Sequence, residues 1–141
     1  MRDIQLVLER WGAWAANESS GVDYSHIAAG FKGLLPRTSK SRESCCDNDG
    51  MIVDAAVTRL KHVRQQEELE LIVLHYINQV SKCGLARMYK CSEGMIRIKL
   101  QIAEGFIDGC IAMTDARLEM DPWVQRQQIY GKNKSCSLRV L

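Results

Sequence analysis

The apolar residues of this chain recur at helical spacing and almost nowhere alternate, a pattern that constrains the fold more tightly than any composition figure. Ile4, Val7, Leu8, Trp11 and Ala15 fall three or four apart, and Asp3 before them is suited to accept a hydrogen bond from free helix amides. Residues 4–16 therefore read as an amphipathic helix, ended by the polar "NESSG". A short helix is expected around Ser25–Phe31, limited by Gly30 and Gly33. A second long helix is marked from about Asp49 by Met51, Ile52, Ala55, Ala56, Leu60 and Val63. A third is marked by Leu69, Ile72, Val73, Tyr76, Ile77 and Val80. With no strand-like run of useful length, the expected fold class is all-α: a compact helical domain packed around one core over residues 1–121. The tail 122–141 is left unassigned.

The stretch "LARMYKCSEGMIRIKL", residues 85–100, sets a tight turn between two such segments. Leu85, Ala86 and Tyr89 give the first segment a buried face, and Ala86 is small where two helices must approach closely. Lys90 and Cys91 make the turn, and Ser92 is placed to cap the next helix. Ile96, Leu100 and Ala103 recur at four and three residues and would pack on the first segment. Arg97, Lys99 and Gln101 then face away from it, with Ser92 and Glu93 at an exposed N-terminus. This is a helix-turn-helix layout over about 82–104, in which a short helix braces a long one whose N-terminal residues enter a major groove. Met95, Ile98, Ile102 and Phe106 form a second apolar stripe on the long helix. So much apolar surface calls for packing against the N-terminal helices or for a protein partner.

The net charge of +2 says little about partners, but its distribution says more. Lys82, Arg87, Lys90, Arg97 and Lys99 stand against the single acid Glu93 over 82–99. Residues 33–48 form the longest stretch without periodicity, a loop holding Arg37, Lys40 and Arg42. From 100 to 121 the sign reverses, with Glu104, Asp108, Asp115, Glu119 and Asp121 against Arg117. A basic segment beside an acidic one suggests one face for an anionic polymer and another for a different partner.

Other classes find little support. The longest apolar runs, such as "LIVL" at 71–74, fall far short of the ~20 residues that cross a membrane. The opening residues carry charge where a secretory leader is apolar, so a cytoplasmic protein is expected. The six cysteines lack C-x-x-C spacing and are expected to be free thiols acting as small hydrophobes, with no metal bound. Cys83, Cys91 and Cys110 in particular sit where a small apolar residue would serve. The three tryptophans and Tyr76 are expected to pack in the core or at its boundary. No nucleophile-base pair, carboxylate pair or phosphate-cradling glycine loop is identifiable, so an enzyme is not expected.

The segments "MRDIQLVLERWGAWAA", "IAAGFKGLLP", "KSR" followed by "CCD", "LAR" and "LQIAEGFIDG…RLEMD" occur in collinear order from Met1 to about Asp121. Together they resemble the phage antitermination protein Q family, in the branch of phage 21 and related lambdoid prophages. The resemblance implies a protein of a bacterial host's cytoplasm that binds double-stranded DNA near a late promoter. Such a protein loads onto RNA polymerase held with its sigma factor at a promoter-proximal pause, then lets it read through terminators into late genes. In this branch the implied mechanism is narrowing of the RNA exit channel, with two copies acting together on DNA. The helix-turn-helix is expected to be similar to region 4 of sigma factors. Ser92, Glu93, Arg97 and Lys99 occupy the recognition-helix positions and become the candidate base and phosphate readers. Lys40 and Arg42 match the basic loop element, as candidates to grip DNA backbone or nascent RNA. No cofactor is implied, and the zinc-binding cysteine pairs of the lambda-type branch have no counterpart here. A simple helix-turn-helix repressor or activator is the competing expectation, one that leaves the long basic loop and the acidic segment without a role.

Overall fold

The computed structural model describes residues 2–31, 33, 35 and 42–124, and among these there are helices and turns but no strand. The fold is all-α. Helix α1 (Ile4–Ala16) starts as its pattern predicts, with Asp3 accepting the Leu6 N–H at 3.3 Å. Its buried line of Val7, Leu8, Trp11, Trp14 and Ala15 faces the core. A 3-10 turn (Glu18–Ser20) and Gly21, at a left-handed φ of 79°, lead to the short α2 (Ser25–Ala29).

Helix α3 (Asp47–Val63) begins inside the stretch read as loop, so the loop ends at Cys46 rather than at 48. The reason is a cap that sequence preference does not favour: Cys46 Sγ accepts the Asp49 N–H at 3.4 Å. Trp14 and Trp11 pack beneath α3 and donate their indole N–H groups to Asp47 (2.9 Å) and Asp54 (3.4 Å). Each ring thus buries its body while its polar atom finds an acceptor.

Helix α4 (Gln66–Ile72) runs into a π-helical turn (Val73–Ile77), where the Asn78 N–H reaches back to the Val73 carbonyl at 3.2 Å. This turn packs along α1. Gly12 permits that contact, because a Cβ there would lie 2.0 Å from the Tyr76 carbonyl oxygen. Helices α5 (Lys82–Met88) and α6 (Glu93–Met113) follow, and α6 lays Ile96, Leu100, Ala103, Ile107 and Ile111 into the core against α3, α4 and α5. After α6 the chain turns back over the N-terminus of α3. There the buried Asp49 carboxylate accepts the Glu119 and Met120 N–H groups at 2.9 and 3.1 Å.

The acidic run from 104 to 121 is split between the interior and the surface. Glu104 is buried and accepts the Tyr76 hydroxyl at 2.6 Å. Asp121 is fully buried, held by Arg2 through Nε (2.8 Å) and a second guanidinium nitrogen (2.9 Å). These two acids satisfy internal donors, whereas Asp115 and Glu119 are exposed and Asp108 is half-exposed, so the charge reversal read along the sequence is part interior chemistry and part surface.

Candidate nucleic-acid interface

The α5–turn–α6 unit has the expected layout, and each feature has a local cause. Ser81 caps α5 by accepting the Gly84 N–H at 3.0 Å, and Ser92 caps α6 by accepting the Met95 N–H at 3.1 Å. Between them Lys90 adopts a left-handed φ of 53°, which lets the Cys91 N–H return to the Ala86 carbonyl at 3.0 Å and closes the turn. Leu85 and Ala86 are buried against Ile96 and Leu100 on the core side. Tyr89 anchors the turn to α4 by donating its hydroxyl to Glu70 (3.2 Å), and its ring packs 5.6 Å from that of Phe31. Burial, and then the Glu70 carboxylate, hold the Tyr89 phenol protonated well above its ordinary range.

Ser92, Glu93 and Arg97 stand exposed at the N-terminus of α6, where free amides and the helix dipole favour an anion. Glu93 and Arg97 form an ion pair at 2.7 Å, one turn apart. Lys99 lies on the other flank of α6, where its ammonium meets Glu67 of α4 at 2.7 Å, and that hydrogen bond raises its pKa. Three of the four recognition-helix candidates therefore share one exposed corner, and Lys99 borders it. The exposed Arg87 and Lys90 on α5 and the turn add charge beside this corner.

Of the two loop candidates, Arg42 does not join them. Lys40 lies outside the described residues. Arg42 turns its guanidinium inward, donating to the carbonyls of Tyr76 and, at 3.0 Å, of Ile77. These carbonyls are left free where the π-helical turn ends, so Arg42 acts as a C-terminal cap rather than as an outward cation. Sequence reasoning had no access to this, because a backbone acceptor leaves no residue-type signal. The same holds for Glu67, which meets Lys99 only through the tertiary packing of α4 on α6.

The second apolar stripe divides. Met95, Ile98 and Ile102 are exposed and do not pack on the N-terminal helices, whereas Phe106 is half-buried in a groove between α3 and α6. That groove, about 720 Å³ in volume, is lined by Ile52, Ala55, Arg59, Phe106, Cys110 and Met113 among others. Of the described cysteines all are free, and Cys83 is exposed rather than taking the apolar position expected of it. Among the described residues no three His, Cys, Asp or Glu side chains converge on a possible metal position, and no helix is long and apolar enough to cross a membrane.

The family description "Phage antitermination protein Q" matches residues 1–119. The chain belongs to the phage antitermination protein Q family. Its similarity to other members of the Q family extends over nearly the whole chain. A probable antitermination protein Q of Acyrthosiphon pisum secondary endosymbiont phage 1 is 54% identical over 134 residues, covering 95% of this chain and 88% of the relative. Antitermination protein Q of Escherichia phage 933W is 47% identical over 133 residues, covering 94% and 91%. Among solved structures, transcription antitermination factor Q21 in complex with Q21-binding-element DNA superposes with a TM-score of 0.60 at 16% identity, over 89% of this chain and 93% of that one. At that identity the likeness is one of fold.

Proposed function

We propose that this Q-family chain is a late-gene antiterminator that enters transcription through DNA. In this reading the N-terminus of α6 docks in the major groove of a site near the late promoter, in the manner of sigma region 4. The protein then passes to RNA polymerase held with sigma at a promoter-proximal pause and narrows the RNA exit channel, so that a terminator hairpin cannot form there. The observation that carries the reading is the exposed, capped corner formed by Ser92, Glu93 and Arg97, flanked by Arg87, Lys90 and Lys99 and braced from behind by α4 and α5. The solved DNA complex of a protein with this fold supports it. No reacting group is needed, because a rigid body at the exit blocks hairpin formation sterically.

DNA recognition is assigned residue by residue. Glu93 accepts from a cytosine amino group, and Arg97 leaves its partner to contact guanine or phosphate. Lys99 contributes phosphate attraction from the flank. The exposed apolar stripe beyond the second turn, together with the α3–α6 groove, is offered to the polymerase. A second copy on DNA and contact with nascent RNA belong to the same reading.

Binding titrations at several salt concentrations test the interface. Arg97→Ala should weaken the cognate duplex by ~1–3 kcal/mol with less effect on random DNA. Lys99→Ala should weaken all duplexes alike and lower the salt slope by about 1, whereas Glu67→Gln should strengthen them by freeing the ammonium. Binding that ignores salt and all three substitutions would remove α6 from the interface.

A further inference from the structure

We infer that Ile98 is a specificity-determining residue that reads a thymine 5-methyl group in the major groove, a role that rests on the docking of α6 proposed above. On α6 the buried line runs through Ile96, Leu100, Ala103 and Ile107. Ile98 follows Ile96 by two residues, about 200° around the helix, so it stands on the side opposite the core. It is 54% exposed, the most exposed large apolar residue in the first half of α6. An aliphatic side chain in that position has no folding role, and with Met95 and Ile102 it makes an exposed apolar strip rather than a lone surface group.

The face around Ile98 is open. Gly94 and Gly105 share its helix face, one turn before and two turns after. A Cβ at Gly94 would have only ordinary contact with Ser92 Oγ at 3.9 Å, and one at Gly105 would meet nothing within 4 Å. The fold therefore does not demand glycine at either position, although glycine within a helix costs about 1 kcal/mol against alanine. Their effect is to leave open space around Ile98 on a face it shares with Met95 and Ile102, each 45% exposed, and with the exposed Gln101 at the third residue on. Ile98 lies five residues beyond Glu93, roughly 8 Å along the axis, which keeps it within the span of a helix end seated in a major groove about 12 Å wide. Ile102 and Met113, further along, fall outside that span.

The charged pair beside it bears on what Ile98 would contact. Glu93 and Arg97 offer hydrogen bonds suited to a G·C pair, and an apolar group next to them discriminates an adjoining A·T pair by its methyl group. The base step read would then combine both kinds of contact.

The test uses the full-length protein and the duplex it selects from a random pool. That duplex is resynthesised with deoxyuridine replacing thymine one position at a time, which removes only the 5-methyl group. The wild-type protein should lose about fourfold in affinity at one or two positions. Ile98→Ala, which folds normally because the side chain is exposed, should bind the thymine and deoxyuridine duplexes equally at those positions. A methyl response retained by Ile98→Ala, or absent from the wild type at every thymine, would overturn the assignment. Gly94→Phe separates this outcome from failure of the interface itself, because it adds bulk to the same face in open space. If Gly94→Phe loses selective binding while the methyl response is unchanged in Ile98→Ala, only the role of Ile98 falls. If Gly94→Phe binds selectively as before, α6 is not in the groove and both readings fall.

Discussion

The Tyr76 hydroxyl donates to Glu104 Oε1 at 2.6 Å, and both side chains are buried. This bond ties the π-helical turn to the middle of α6 and explains an acid set among apolar neighbours. Burial, and then the carboxylate, push the Tyr76 phenol above its ordinary pKa. Tyr76→Phe should lower unfolding free energy by about 1–3 kcal/mol, because it leaves a buried carboxylate short of a donor. Glu104→Gln keeps an acceptor for the hydroxyl and should cost less. Chemical denaturation of both variants checks the order, and a larger loss in Glu104→Gln would contradict it.

Arg42 should behave as a folding residue. Its guanidinium spans two carbonyls, a fork that an ammonium cannot reproduce, so Arg42→Lys should lower stability by about 1–2 kcal/mol although the charge is kept. If Arg42 acted instead as an outward phosphate contact, the lysine variant would melt like the wild type, and Arg42→Ala would reduce the salt slope of DNA binding.

Two glycines in helices should respond to alanine with opposite signs. Gly12→Ala drives a Cβ to 2.0 Å from the Tyr76 carbonyl oxygen and must separate α1 from the π-helical turn. A loss of about 2 kcal/mol or more is expected, in line with overpacking of a close helix contact. Gly105→Ala meets nothing and should gain about 0.5–1 kcal/mol from helix propensity. Thermal melts of the two variants decide this, and equal shifts would refute the packing argument.

These residues also show where sequence reading succeeds and stops. Helices α1, α3 and α6 were legible because period and caps are properties of consecutive residues: Asp3 and Ser92 cap as their types predict. The turn at Lys90–Cys91 was legible for the same reason. Glu104 and Asp121 were read as part of an acidic surface because their partners, Tyr76 and Arg2, are 28 and 119 residues away. Arg42 was read as a free cation because its acceptors are main-chain carbonyls exposed only by the π-helical turn. At the candidate interface the residue types of Ser92, Glu93 and Arg97 were visible along the chain, whereas the pairing of Lys99 with Glu67 needed the packed fold.

The Cys45 thiol gives a pH signature. Burial, and then Asp49 and Cys46, push it up to about 12 from 9.0. A group whose folded pKa is raised contributes stability below its unfolded value and loses it as pH climbs toward the folded one. Stability should therefore fall between pH 9 and 12, and Cys45→Ala should flatten that fall. At pH 8 a thiol reagent should modify the exposed Cys83 well before Cys45. Equal rates, or an unchanged alkaline slope in the alanine variant, would contradict the placement of this thiol.

The most direct measurement is transcription in vitro across an intrinsic terminator placed well downstream of a promoter, a pause and the duplex element this protein selects. Adding the protein is expected to raise read-through of the distant terminator, and deleting the element or introducing Arg97→Ala to abolish the rise. If initiation changes while read-through stays at background, the protein is a simple DNA-binding regulator and the antitermination account is contradicted.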